Sequence, residues 1–199
     1  CITSRTFPQV TVLNSASNLN TKAKYVGCLS SRQPVCFIQD DDFYPTLSNA
    51  LYSSFLLEPD TIHAETDMAT FLMNRKWTFI DSEIGLETGF AWFGCGSFMH
   101  RSTAARILGI MERFDISPHV MDPSAAILLN RIPVVFPTVL NTTGLTLEGG
   151  FACPSCALNR KQIEEARPTA LQILVSHLSQ NLPDNDFHRA PSTCTYFCC

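Results

Sequence analysis

Short apolar runs separated by polar turns make up most of this chain. Val10–Leu13 has the β-branched character of a strand, and Asn14–Asn18 after it is rich in turn formers. Thr21–Ser30 is predicted as a short helix, and the apolar run Val35–Ile38 as a buried strand. A helix between two such strands predicts a βαβ unit on a parallel sheet. Pro45 is placed in the first turn of the next helix. Leu47, Leu51 and Phe55 carry that helix at helical spacing, and Glu58-Pro59-Asp60 closes it.

Trp77–Ile80 and Gly89–Phe93 are further candidate strands, the second ending in Gly94-Cys95-Gly96. Ile107, Met111 and Phe114 mark an amphipathic helix from about Thr103. Another helix opens at Asp122-Pro123 and continues through Ala126, Ile127 and Leu128, and Ile132–Phe136 is a short strand. From Gly149 on the pattern is loop-rich, with one helical segment on either side of Pro168. The alternation is α/β. It divides into 1–150, which holds the strands, and 151–199, a Cys-containing extension packed on it.

Composition narrows the class. The 199 residues suffice for one sizeable core, and 45% hydrophobic with 16% charged residues describes an ordinary globule. A net charge of −4 with no basic stripe argues against nucleic acid as a partner. No apolar stretch approaches the roughly 20 residues that span a bilayer. The chain opens on Cys1 rather than Met, so membrane attachment is expected only through an anchor upstream. Nine cysteines and the sequon Asn141-Thr142-Thr143 favour the oxidising secretory pathway. Cys36 reads as a plain core residue, and the terminal cluster Cys194, Cys198 and Cys199 as disulfide-forming. Cys153-Pro154-Ser155-Cys156 is a CxxC pair. Zinc would need about two further ligands, for which Cys194 and Cys198 are candidates, and disulfides are the first reading.

The Val35–Ile38 run ends at Asp40-Asp41-Asp42. Three clustered carboxylates repel, and a hard divalent cation relieves that repulsion better than water does. In open α/β sheets, ligands gather outside the carboxyl ends of strands, which is where this triplet falls. A solvated acidic turn is the competing reading. Asp122 has two readings as well. Followed by Pro123 it makes a good N-cap, worth about 1 kcal/mol; it is also a candidate carboxylate for chemistry. His63 and Glu65 alternate on one face of an extended segment and are candidates to line an acceptor site.

The order of these segments resembles a known family. A strand ending in Asp40-Asp41-Asp42 is followed by Trp92-Phe93-Gly94-Cys95-Gly96-Ser97-Phe98-Met99-His100-Arg101, and then by Met121-Asp122-Pro123 running to Asn130-Arg131-Ile132-Pro133. This is similar to nucleotide-sugar glycosyltransferases of the GT-A fold, including the exostosin-like and related fungal families. Ser17-Asn18-Leu19-Asn20-Thr21-Lys22 is similar to their uridine-side loop, with Lys22 where the family carries Arg. The resemblance covers roughly Val10 to Phe136.

The resemblance implies a GT-A-like, Rossmann-related mixed sheet flanked by helices, with the first strand and helix missing from this chain. It implies Mn²⁺ or Mg²⁺ held by Asp42 and Asp40, and a UDP-sugar donor bound by Asp40, Asp41, Lys22, Gly94, Gly96 and Arg101. Asp122 would stand at the reacting carbon, as general base in an inverting reaction or as a charge stabiliser in a retaining one. The acceptor would be a glycan or protein hydroxyl. The setting would be the Golgi or endoplasmic reticulum lumen, as a type II membrane protein when full length. A disulfide- or zinc-stapled binding module without catalysis, or an inactive glycosyltransferase-like fragment, is the alternative.

Overall fold

The computed structural model describes residues 14–40, 45–66, 78–137 and 154–180. The predicted strand Val10–Leu13, the sequon at Asn141, and Asp41, Asp42 and Trp77 lie outside them. So do the side chains of Cys1, Cys153, Cys156, Cys194, Cys198 and Cys199. In chain order the elements begin with α1 (Lys22–Ser30), β1 (Val35–Ile38), α2 (Ser48–Leu57) and β2 (His63–Thr66). A hairpin follows, β3 (Thr78–Asp81) and β4 (Leu86–Gly89), then β5 (Ser97–His100) and α3 (Arg101–Arg113). A 3₁₀ turn (Pro118–Val120) leads into α4 (Met121–Leu128), and β6 (Val134–Pro137) and α5 (Pro154–Ser179) complete the set.

The fold is mixed α/β. Four strands form one sheet in the order β1-β5-β2-β6, and β3-β4 form a separate antiparallel pair. The sheet is mixed: β5 runs antiparallel to both β1 and β2, while β2 and β6 are parallel. The expected βαβ unit therefore has no described parallel neighbour beside β1. Its neighbour is β5, with Val35 opposite His100 and Ile38 opposite Ser97.

Alternation along each strand sorts side chains onto two faces. Cys36 and Ile38 of β1 and Met99 of β5 enter the main core with Tyr25, Ile107 and Ile127. Phe98 and His100 point the other way and meet Phe55 of α2, at 6.0 and 5.7 Å between ring centroids. β2 is buried on both faces: His63 packs against Ser54 and Phe55 of α2 on one, and Ala64 joins the main core on the other. His63 and Glu65 are consequently closed to solvent and do not line an acceptor site. The His63 ring nitrogens lie 3.0 Å from Ser54 Oγ and 2.9 Å from the Glu58 carbonyl. The Glu65 carboxylate accepts N–H bonds from Thr46 and Leu47 and the Thr46 hydroxyl. Those bonds satisfy donors just ahead of α2, so the helix starts at Ser48 rather than at Pro45.

Three further expectations are corrected. The strand expected at Gly89–Phe93 ends at Gly89, and the next strand, Ser97–His100, begins directly after Gly94-Cys95-Gly96. Cys36 is not a plain core residue: it forms a disulfide with Cys28, joining α1 to β1. Finally, α5 runs unbroken through Pro168. An interior proline costs a helix about 3 kcal/mol. Burial of Ala166 before it and Ala170 and Leu174 after it, where α5 packs on α4, offsets that cost.

Candidate functional site

Asp40 follows β1 directly, and its N–H donates to the Gly94 carbonyl at 2.8 Å. A Cβ on residue 94 would overlap Asp40 Oδ2 and lie 2.9 Å from the Trp92 indole nitrogen. Only glycine therefore lets this loop pass so close to the strand end. The loop continues into Gly96, whose φ of +122° lies in the glycine region. A Cβ there would meet Pro45 at 2.9 Å and the Phe37 ring at 3.3 Å. Gly96 makes the turn into β5, and its carbonyl accepts the Glu65 N–H.

Asp122 is not an N-cap. The 3₁₀ turn ahead of α4 moves the helix start upstream, so Val120 is the cap and Asp122 lies in the first turn. Its side chain reaches across the core to α1 instead. Lys24 Nζ lies 2.5 Å from Asp122 Oδ2, and the Tyr25 hydroxyl donates to Asp122 Oδ1 at 2.5 Å. The same Lys24 nitrogen donates to Asp40 Oδ1 at 3.0 Å. Two oxygens held by one nitrogen at 2.5 and 3.0 Å lie at most about 5.5 Å apart. Asp40 and Asp122, read separately in the sequence, thus meet across Lys24, with the Gly94 backbone beside Asp40.

The array is graded in exposure. The Asp122 side chain is 1% exposed, Lys24 14% and Asp40 34%. Burial alone would lower the Lys24 pKa, but the Asp122 and Asp40 carboxylates outweigh it, and the pKa ends above 10.5. Burial raises the Asp122 pKa above 3.8 against the opposing pull of Lys24 and the Tyr25 hydrogen bond. Tyr25 rises well above 10.0, through burial first and then the Asp122 charge. Lys24 and Asp122 move the same way for different reasons. Two carboxylates prevail over burial at the lysine, whereas one ammonium does not fully prevail over it at the aspartate.

The other expected site residues are placed as follows. Lys22 opens α1 and is half-buried, but the cation that meets the carboxylates is Lys24, two residues on. Arg101 stands at the far end of β1 from Asp40. There Arg101 Nη1 donates to the Ser31 carbonyl at 2.8 Å and its N–H donates to the Pro34 carbonyl. The antiparallel pairing of β5 with β1 puts His100 opposite Val35 and carries Arg101 away from the strand's carboxyl end. Lys24 and Tyr25 are the residues that the sequence motifs miss. One signal was available: Lys24 lies four residues before Cys28 and beside Tyr25, so it is the cation on a helix face that is otherwise buried.

Hard divalent ions take oxygen ligands. Asp40 is one-third exposed, and its Oδ2 faces Gly94. The array sets two carboxylates against one ammonium, so its charge and donor type suit a cation at Asp40. The second expected ligand, Asp42, lies outside the described residues, and among the described residues no three candidate ligands cluster. Compared with protein-family models, curated proteins and solved structures, the chain matches none.

Proposed function

We propose that this chain is a metal-dependent glycosyltransferase domain of GT-A type. It would move a sugar from a nucleotide diphosphate sugar, of uridine type, to a hydroxyl on a glycan or protein. The observation that carries this reading is the meeting of Asp40 and Asp122 across Lys24, with Gly94 packed on Asp40. Four segments, α1, the acidic strand end, the glycine loop and the α4 start, supply those residues. Asp40 and Asp42 would hold Mn²⁺ or Mg²⁺, which when bound neutralises negative charge on the leaving diphosphate. Gly94, packed on Asp40, would bring its backbone close to the donor, and Asp122 would stand at the reacting carbon. In an inverting reaction Asp122 would take the acceptor's proton; in a retaining one its charge would offset positive charge at the anomeric carbon. The Cys28–Cys36 disulfide supports a setting in the secretory lumen.

Melting with Mn²⁺ and UDP tests this. Ligand at a hundredfold excess over its Kd stabilises by about 2.7 kcal/mol. For a domain of this size that is a rise on the order of 5–10 °C in Tm. Asp42→Asn is expected to abolish the rise. Absence of any rise in the wild type sinks the reading.

One observation favours a second reading, a disulfide-stapled module without catalysis. Asp122 is 1% exposed and both its oxygens already accept hydrogen bonds, as a purely structural carboxylate would. The same melt separates the two, because the module has no reason to bind UDP.

A further inference from the structure

We propose that Lys24 is a positioning residue of the transfer site, fixing the spacing and orientation of Asp40 and Asp122 without touching the reacting atoms. This rests on the transferase reading above. Lysine has three N–H donors, and here two are committed, one to each carboxylate. Asp122 has both oxygens occupied, Oδ1 by Tyr25 and Oδ2 by Lys24, so it cannot turn without breaking one of those bonds. Asp40 has one oxygen on Lys24 and keeps the other toward Gly94 and solvent. The ammonium is therefore the hinge between a fixed carboxylate and a partly open one.

Lys24 is itself held in place. Lys24 and Cys28 are four residues apart on α1, and Cys36 and Asp40 are four apart along β1 and its end. Cys28 is bonded to Cys36, and Lys24 is paired with Asp40. The helix and the strand thus run antiparallel along one seam, tied covalently at one point and ionically at the next. Side chains four apart on a helix share a face, so both ties point the same way. Without the ammonium, two carboxylates whose oxygens lie at most about 5.5 Å apart repel with no cation between them. Asp122 is closed to water, so Asp40 is the one free to move, and it moves away from the donor position.

The test uses Lys24→Met, Lys24→Gln and Lys24→Arg in the full chain, assayed with UDP-sugar donors and compared in Tm and in UDP affinity. Misplacing a reacting group by about 1 Å costs on the order of a hundredfold. Lys24→Met is expected to lower kcat by about that factor and, because Asp40 also moves, to weaken the Kd for UDP with Mn²⁺. Lys24→Arg is expected to restore most of kcat, since it returns the charge. A merely structural lysine predicts a fall in Tm with kcat of the folded fraction unchanged, and that result overturns the proposal. A loss confined to KM overturns it too. If Lys24→Met does not fold, Lys24→Gln, which keeps a donor but no charge, must show the same kcat loss. A wild type that binds UDP and transfers sugar beside a Lys24→Met variant of equal kcat defeats this inference alone. A wild type with neither property defeats the transferase reading and this inference together.

Discussion

Lys24 Nζ and Asp122 Oδ2 lie 2.5 Å apart although 98 residues separate them in the chain. This contact, with the Tyr25 hydroxyl on the other oxygen, ties α1 to α4 through a buried charge. Removing one partner of a buried pair leaves the other uncompensated and costs about 3–5 kcal/mol. Asp122→Ala is therefore expected to lower the unfolding free energy by that amount, read as a lower urea midpoint at an unchanged m-value, because no additional surface is exposed. The double variant Lys24→Met/Asp122→Leu, which replaces the pair with apolar groups, is expected to recover most of the loss. A cost for Asp122→Ala below about 1 kcal/mol would place the pair in the class of solvated surface bridges.

The same array gives stability a direction with pH. Lys24 has a pKa raised above 10.5 in the folded protein, by two carboxylates that outweigh burial. Its stabilisation is fully present below the unfolded pKa and is lost as pH rises through the folded value. Tyr25, raised well above 10.0 by burial and the Asp122 charge, has the same sign in the same alkaline window. Asp122 is also raised, by burial, so its linkage favours the folded state at acid pH and fades as pH climbs past the usual carboxylate range. The array therefore contributes alkaline unfolding and no acid unfolding. Urea melts from pH 8 to 11 should show stability falling at the top of the range. Lys24→Met should flatten that fall. Wild-type stability that stays flat to the top of that range would contradict the assignment.

Much of the frame is legible from local pattern. Val35–Ile38 is a strand because four apolar residues stop at charge, and α4 forms where a small apolar run follows Asp122-Pro123. What escapes the sequence is direction and distance. The local pattern of Ser97–His100 does not say that this strand runs antiparallel beside β1, and that one fact removes Arg101 from Asp40. Nor does the spacing of Lys22, Lys24 and Tyr25 say which of them meets a carboxylate 98 residues away. Cys36 looks like core by its neighbours, and only the reversal of the chain between α1 and β1 brings Cys28 within bonding distance. The site was legible as a set of carboxylates and glycines; the cation that joins them was not.

Gly94 gives a test that leaves every charge in place. A methyl group at this position would overlap Asp40 Oδ2 and crowd the Trp92 indole. Gly94→Ala therefore has to displace the carboxylate or the loop. Overpacking of this kind costs about 1–3 kcal/mol. The expected result is a modest fall in the urea midpoint together with loss of the Mn²⁺- and UDP-dependent rise in Tm, since Asp40 no longer points to its place. Gly27, where an added Cβ meets nothing within 4 Å, is the control. Gly27→Ala should leave the ligand response unchanged and, in a helix, is favourable by up to about 1 kcal/mol. A Gly94→Ala protein that keeps the full ligand response would mean that the carboxylate position does not matter for binding.

The Cys28–Cys36 bond closes a short loop, with a sequence separation of 8. For a loop of that length the chain-entropy model gives about 2–3 kcal/mol of stabilisation. Its larger consequence is local, because it fixes the helix face that presents Lys24 and Tyr25 to the two carboxylates. Cys28→Ala/Cys36→Ala is expected to lower the unfolding free energy in urea melts by about that amount. It should also lower the Lys24–Asp122 coupling measured in a double-mutant cycle, because α1 is then less constrained against β1. Peptide mapping without reduction should recover the 28–36 linkage in the wild type. Labelling of both cysteines by a thiol reagent in the folded, unreduced protein would show the bond absent and remove this support from the site.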